Sequence, residues 1–227
     1  MSDSTTIRTL ATHEVVRSVY PREVTDRDEV GMASGSAIDG AVSRFNFETA
    51  RGNRPTVTSI VRSAEAALDR ELADAHATMP GPERARFPEV VREMLRLVRR
   101  SEVFGLSRPR SRLLLIDGVA GIYAQPDFWN GRDVIYELKS YRAYPPRPDV
   151  QLQLELFQLA FPGFEERIVS MDRHAEPATL EIHPIPPVSD SRAREVLIAA
   201  REAAASLGQE KVLEYIDAPI VRRSIPP

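Results

Sequence analysis

Asp127, Glu137 and Lys139 are the residues of this chain whose types and spacing could do chemistry. Glu137 and Lys139 stand two apart in the run Val134-Ile135-Tyr136-Glu137-Leu138-Lys139. Side chains alternate faces along a strand, so on a strand the two project from one side. Pro126-Asp127 precedes Glu137 with nine residues between Asp127 and Glu137, and an Asn130-Gly131 pair lies in that interval. Asn-Gly is a strong hairpin signal, and a turn there can bring Asp127 beside Glu137. Two carboxylates converging on one spot repel unless a cation lies between them. Hard oxygen donors of this kind suit Mg²⁺ or Mn²⁺. An ammonium alongside could orient or deprotonate a water, or stabilise negative charge on a phosphate.

The elements that must position these groups are a set of strands between helices. Leu113-Leu114-Leu115-Ile116 followed by Asp117-Gly118 reads as a strand and turn, Gly121–Phe128 as a second strand, and Val134–Lys139 as a third. Together they predict an antiparallel three-strand meander. A Pro-rich loop over 144–148 leads to a helix at about 149–160, two strands near Arg167–Met171 and Thr179–Ile185, a helix at 190–206 and a short helix near 209–216. Upstream, apolar spacing predicts helices over 6–20, from about Ser36 through Phe45, over 56–79 up to Pro80-Gly81-Pro82, and from about Pro88. The Gly- and Ser-rich stretch 28–36 reads as a loop. The fold class is α/β (α+β) with a mixed central sheet flanked by helices. Residues 1–110 are expected as a mainly helical lobe, 111–190 as the sheet core and 191–227 as C-terminal helices and tail, all in one domain.

The stretch Gly121-Ile-Tyr-Ala-Gln-Pro-Asp127, a turn, and Asp133-Val-Ile-Tyr-Glu-Leu-Lys-Ser140 resembles the PD-(D/E)xK nuclease superfamily, and within it the RecB-like branch that includes the exonucleases of CRISPR adaptation. The resemblance implies a restriction-endonuclease-like core and a Mg- or Mn-dependent nuclease acting on DNA, single-stranded or at ends. Asp127, Glu137 and the Leu138 backbone carbonyl would hold the metal, and Lys139 would position the water. The branch carries a Gln-x-x-x-Tyr helix next; Gln153-Leu-Glu-Leu-Phe157 stands there with Phe in place of Tyr, and Gln151, two residues earlier, is the alternative for the functional glutamine. It also carries an upstream Gly-x-x-x-His whose His binds metal; here Gly35-Ser-Ala-Ile-Asp39 puts an aspartate at that position, a further metal ligand by the same chemistry. The resemblance covers roughly residues 30–160.

Composition narrows the rest. The 227 residues include no cysteine, which excludes disulfides, thiolate zinc sites, cysteine nucleophiles and the iron–sulfur cluster of some branch members. No Gly-rich phosphate loop and no Gly-x-Ser-x-Gly occurs. No signal-peptide pattern opens the chain and no apolar run nears the roughly 20 residues of a membrane span, so a cytoplasmic location is expected. Only Lys139 and Lys211 are lysines, leaving 28 of the 30 basic residues as arginine. A lysine inside a catalytic motif is therefore conspicuous. Net charge is −3, so no overall basic field announces nucleic acid. Locally, Arg96, Arg99, Arg100, Arg108, Arg110 and Arg112 face a single acid, Glu102, and lead into the strands; with Arg142 and Tyr141 they are candidate contacts for a nucleic acid. Tyr123, Trp129 and Tyr144 are further aromatics available for base stacking.

Each feature has a plainer reading. Glu137 and Lys139 alone would make an ordinary ion pair, Asp127 could simply begin a turn, Asp39 could face solvent, and an arginine run is usually a solvated helix face. The four histidines, His13, His76, His174 and His183, read as structural. Two functional alternatives stay open: an inactive nucleic-acid-binding or assembly subunit on the same fold, and an RNA-directed nuclease.

Overall fold

The computed structural model describes residues 6–21 and 24–225. The first described element is a strand, β1 (Thr6–Ala11), followed by a short helix, α1 (Thr12–Val19). A single helix had been expected over 6–20. In β1 Ile7 and Thr9 point inward while Thr6 and Arg8 are exposed, a period-two alternation that only a neighbouring strand can exploit.

Three helices follow: α2 (Asp26–Ala50), α3 (Val57–Asp74) and α4 (Gly81–Arg99). α2 runs through the stretch read as a loop over 28–36. Its start is fixed by Thr25 and Asp28: the Thr25 hydroxyl accepts from the Asp28 N–H at 3.2 Å, and the Asp28 carboxylate accepts from the Thr25 N–H at 3.1 Å. This capping box satisfies two terminal donors reciprocally. Val30, Ala33, Ala37, Ile38, Ala41, Val42 and Phe45 then form its buried stripe. Helix α3 ends at Asp74 rather than at 79, and α4 begins seven residues before Pro88, which sits inside it.

The strands β2 (Arg112–Ile116), β3 (Ala120–Ala124), β4 (Phe128–Trp129) and β5 (Val134–Lys139) lie where a meander was expected, but they divide between two sheets. β2 and β3 pair as a hairpin in one sheet; β4 and β5 pair as a hairpin in the other. The chain changes sheets at Gln125-Pro126-Asp127, where proline offers no N–H to continue the β3 ladder. Helix α5 (Pro148–Ala160), strands β6 (Glu165–Asp172) and β7 (Thr179–Pro184), helix α6 (Asp190–Leu207) and strands β8 (Gln209–Val212) and β9 (Ile220–Arg223) follow. The short helix expected near 209–216 is instead β8 and a single 3₁₀ turn.

The five-stranded sheet has the order β8-β1-β3-β2-β9 and the four-stranded sheet β4-β5-β6-β7; each mixes parallel and antiparallel pairs. The fold is thus α/β, as expected. One face of the four-stranded sheet, carrying Tyr136, Leu138, Val169 and Met171, packs on α2, α3 and α4. Its other face lies under α5, which also fills the space toward the five-stranded sheet with α1 and α6. No helix among the described residues is long and apolar enough to cross a membrane.

Candidate active site

The Asn130 side chain organises the hairpin that joins the key residues. Its Oδ1 accepts from the N–H groups of Arg132, Asp133 and Val134 at 2.9, 3.1 and 3.1 Å, and Gly131 takes the left-handed φ of +81° that the turn needs. Phe128 then pairs with Tyr136, which sets Asp127 beside Glu137. Asp127 Oδ2 accepts from the Leu138 N–H at 2.9 Å, so the first carboxylate is locked onto the strand that carries the second.

Glu137, Lys139 and Gln153 form a closed triangle. The Lys139 ammonium donates to Glu137 Oε1 at 2.8 Å and to Gln153 Oε1 at 2.9 Å, and the Gln153 amide donates to Glu137 Oε1 at 2.8 Å. Helical periodicity separates the two glutamines. Gln153 faces β5, whereas Gln151, two residues earlier and so across the helix, donates to Glu155 Oε1 at 3.2 Å. Glu155 is buried against Arg192 of α6 at 3.0 Å, a structural pair between helices. Phe157, one turn beyond Gln153, is 2% exposed and fully apolar in its surroundings.

Asp39 reaches the same corner from α2. Burial first, then the negative charge of Asp127, raises it to about 7, against the pull of Lys139, a Ser140 hydrogen bond and Arg173. Its Oδ1 is buried with no hydrogen-bond partner. Glu137 is raised to about 8 by burial and then by Asp127. For Lys139 burial works against the charge, yet the Glu137 carboxylate outweighs it and holds the ammonium above the ordinary lysine range.

The donor set is all hard oxygen, and the crowded carboxylates together with the orphaned Asp39 oxygen fit a divalent cation. Among the described residues no group of three carboxylate or imidazole side chains already converges as a complete cage. Backbone carbonyls, substrate oxygens or waters would have to complete the coordination, as is usual for Mg²⁺.

The basic residues separate into groups. Arg108 stands at the mouth, 3.8 Å from Asp127 Oδ1 and 54% exposed. Arg96, Arg99, Arg100, Arg110 and Arg142 are exposed. Arg112 is taken up elsewhere: its guanidinium lies over the Phe161 and Phe164 rings at 4.4 and 5.0 Å. Tyr141 lies beneath Arg147, 5.1 Å from ring centre to guanidinium. Two residues not expected here join the site. Ser140 bonds Asp39. Arg173 extends from the end of β6, donating to the Gly31 carbonyl at 3.1 Å, and carries a buried Nη1 with no partner. Its arrival depends on strand pairing, which leaves no local signal in the sequence. Gly35 shows how closely α2 approaches: a Cβ there would lie 3.2 Å from Ser140 Oγ and 3.5 Å from Arg173 Nη1.

No protein-family model matches the chain, and no curated protein matches it. Among solved structures, the crystal structure of an alkaline exonuclease (LHK-Exo) from Laribacter hongkongensis is similar over 64% of this chain and 78% of that one, at 17% identity and a TM-score of 0.35.

Proposed function

We propose that the chain is a divalent-metal-dependent nuclease of the PD-(D/E)xK type that hydrolyses DNA phosphodiester bonds, with single strands or ends preferred. The observation that carries this reading is the closed group at the end of β5, in which the Asp127 and Glu137 carboxylates press together while Lys139 is held by Glu137 and Gln153. A plain surface ion pair has no reason to be buried against a second carboxylate: Glu137 is 4% exposed, and burying unneutralised charge is unfavourable.

In this reading Asp127, Glu137 and the Leu138 carbonyl hold the cation, with Asp39 alongside. The cation would supply Lewis acidity toward the phosphodiester. Lys139 keeps its proton and places a fixed positive charge where a phosphate oxygen develops charge. Gln153 fixes both Lys139 and Glu137 Oε1, so that neither rotates away. Arg108 at the mouth draws the phosphodiester backbone inward. The test is incubation with end-labelled single- and double-stranded DNA and RNA in Mg²⁺, Mn²⁺ or EDTA. Cleavage of DNA in metal and none in EDTA is expected; no cleavage of any nucleic acid in either metal would overturn the reading.

A further inference from the structure

Glu137, Ile168 and His183 lie in one row across the four-stranded sheet. Glu137 pairs with Ile168 and Ile168 with His183, and paired residues share a face. Two strand spacings separate His183 from Glu137, roughly 10 Å. Helix α5 covers the β5 end of this row. Over β7 the row is covered by the segment after β5 instead, pinned there by the Ala143 N–H, which donates to Ser170 Oγ at 2.8 Å. That places the Tyr144 ring flat on His183, with centroids 3.9 Å apart and planes 10° from parallel. Tyr144 remains 39% exposed.

We propose that the free face of the Tyr144 ring, backed by His183, is a stacking site for an unpaired nucleobase of the strand whose phosphate lies at Asp127 and Glu137. The inference rests on the nuclease reading and deepens it by naming single-stranded nucleic acid as the form engaged beside the site. The other aromatics near the motif are committed elsewhere. Tyr123 lies in the five-stranded sheet under Lys211, 5.0 Å away; Trp129 packs into the core between the sheets; Tyr141 is covered by Arg147. His183 is held edge-on by Glu181 at 3.1 Å, so it stiffens the platform. Exposed Arg142, two residues before Tyr144 in the chain, is a cation available to the sugar–phosphate chain. The separation of roughly 10 Å corresponds to about three nucleotides of stacked strand at 3.4 Å each, a span that keeps base and scissile phosphate on one short segment. Stacking is tolerant of sequence because every base has a flat face.

The experiment is fluorescence anisotropy with a short labelled strand in EDTA, so that cleavage does not intervene. DNA and RNA forms are each tried with bases and with abasic positions throughout. Tyr144→Ala is expected to weaken binding of the base-bearing strand on the order of tenfold, the scale of one stacked base, and to leave the abasic strand unchanged. Tyr144→Phe should bind like the parent. A 2-aminopurine probe, placed at each position of the strand in turn, should be quenched at some position by the parent protein and at none by Tyr144→Ala. Equal weakening of base-bearing and abasic strands would make Tyr144 only an anchor for its segment and overturn the proposal, as would unchanged binding or absent quenching. If the parent cleaves DNA but Tyr144→Ala binds normally, the stacking site alone fails; if the parent binds no strand, the stacking site fails while the nuclease reading stands or falls with cleavage in Mg²⁺ or Mn²⁺.

Discussion

Gln153 and Lys139 hold one another across the gap between α5 and β5, at 2.9 Å, and both donate to the same Glu137 oxygen at 2.8 Å. Gln153→Leu removes one of the two groups that fix Lys139. We expect single-turnover cleavage to fall by about tenfold to a hundredfold, with the fold retained. Gln151→Leu should cleave like the parent and lose only about 1 kcal/mol of stability, the worth of its bond to Glu155. The opposite ranking in the cleavage assay would assign the functional glutamine to Gln151.

Lysine chemistry gives a second outcome. Lys139 sits where two acceptors close on a compact ammonium, and a planar guanidinium cannot satisfy both from the same point. Lys139→Arg should slow cleavage on the order of a hundredfold. Lys211 lies 5.0 Å from the centre of the Tyr123 ring, a place an arginine occupies equally well, so Lys211→Arg should be silent. Equal rates for parent and Lys139→Arg would reduce Lys139 to an ordinary cation.

Asp127 has two jobs that substitution can separate. Asn keeps an oxygen for the Leu138 N–H, now 2.9 Å from Oδ2, but carries no charge. Asp127→Asn should therefore fold normally and lose cleavage by at least about a hundredfold, the order of a catalytic group's contribution. Asp127→Ala loses cleavage too, and strands that N–H, at about 1–3 kcal/mol if it stays dry. Melting curves should place Ala below Asn; the reverse order would mean that the Leu138 N–H is satisfied by water once Asp127 is gone.

Stability should depend on pH in a defined direction. Asp39 and Glu137, ordinarily near 3.8 and 4.5, stand at about 7 and about 8 in the folded protein, and buried Glu166 is raised as well. A folded-state value above the unfolded one means that folding favours the proton. The stabilisation is complete below the unfolded values and is lost as pH rises through about 7 and then about 8. In EDTA the melting temperature should fall across that window. Excess Mn²⁺ should oppose the fall by replacing the protons, and Asp127→Asn should flatten it. A melting temperature that climbs through the same window in EDTA would contradict the assignment.

The parts of the site that sequence exposed are those fixed by short-range geometry. Alternation alone puts Glu137 and Lys139 on one face, Asn130-Gly131 folds Asp127 back, and Gln153 is a local step on α5. The division of the strands was not legible, because which strand pairs with which depends on partners such as β9, more than a hundred residues from β2 in sequence. β1 failed for the same reason: its ladder partners are Ala120–Tyr123 and Gln209–Val212, and without them Ile7 and Leu10 fit a helical stripe. The start of α2 carried a readable signal in Thr25 and Asp28, overridden by the glycines at 31 and 35 that usually break helices. Packing explains one of them, since Gly35 lets α2 approach Ser140 and Arg173.

The five-stranded sheet draws its strands from both ends of the chain, with β9 lying parallel along the outer edge of β2. During synthesis every strand of the other sheet emerges before residue 185, whereas β2 must wait for residues 220–223 to gain its cover. Until then its exposed ladder, Leu113-Leu114-Leu115-Ile116, is an open apolar edge of the kind that recruits other chains. A chain lacking Ile220–Arg223 should therefore assemble its catalytic strands and still precipitate, so β9 acts as a built-in guard against aggregation.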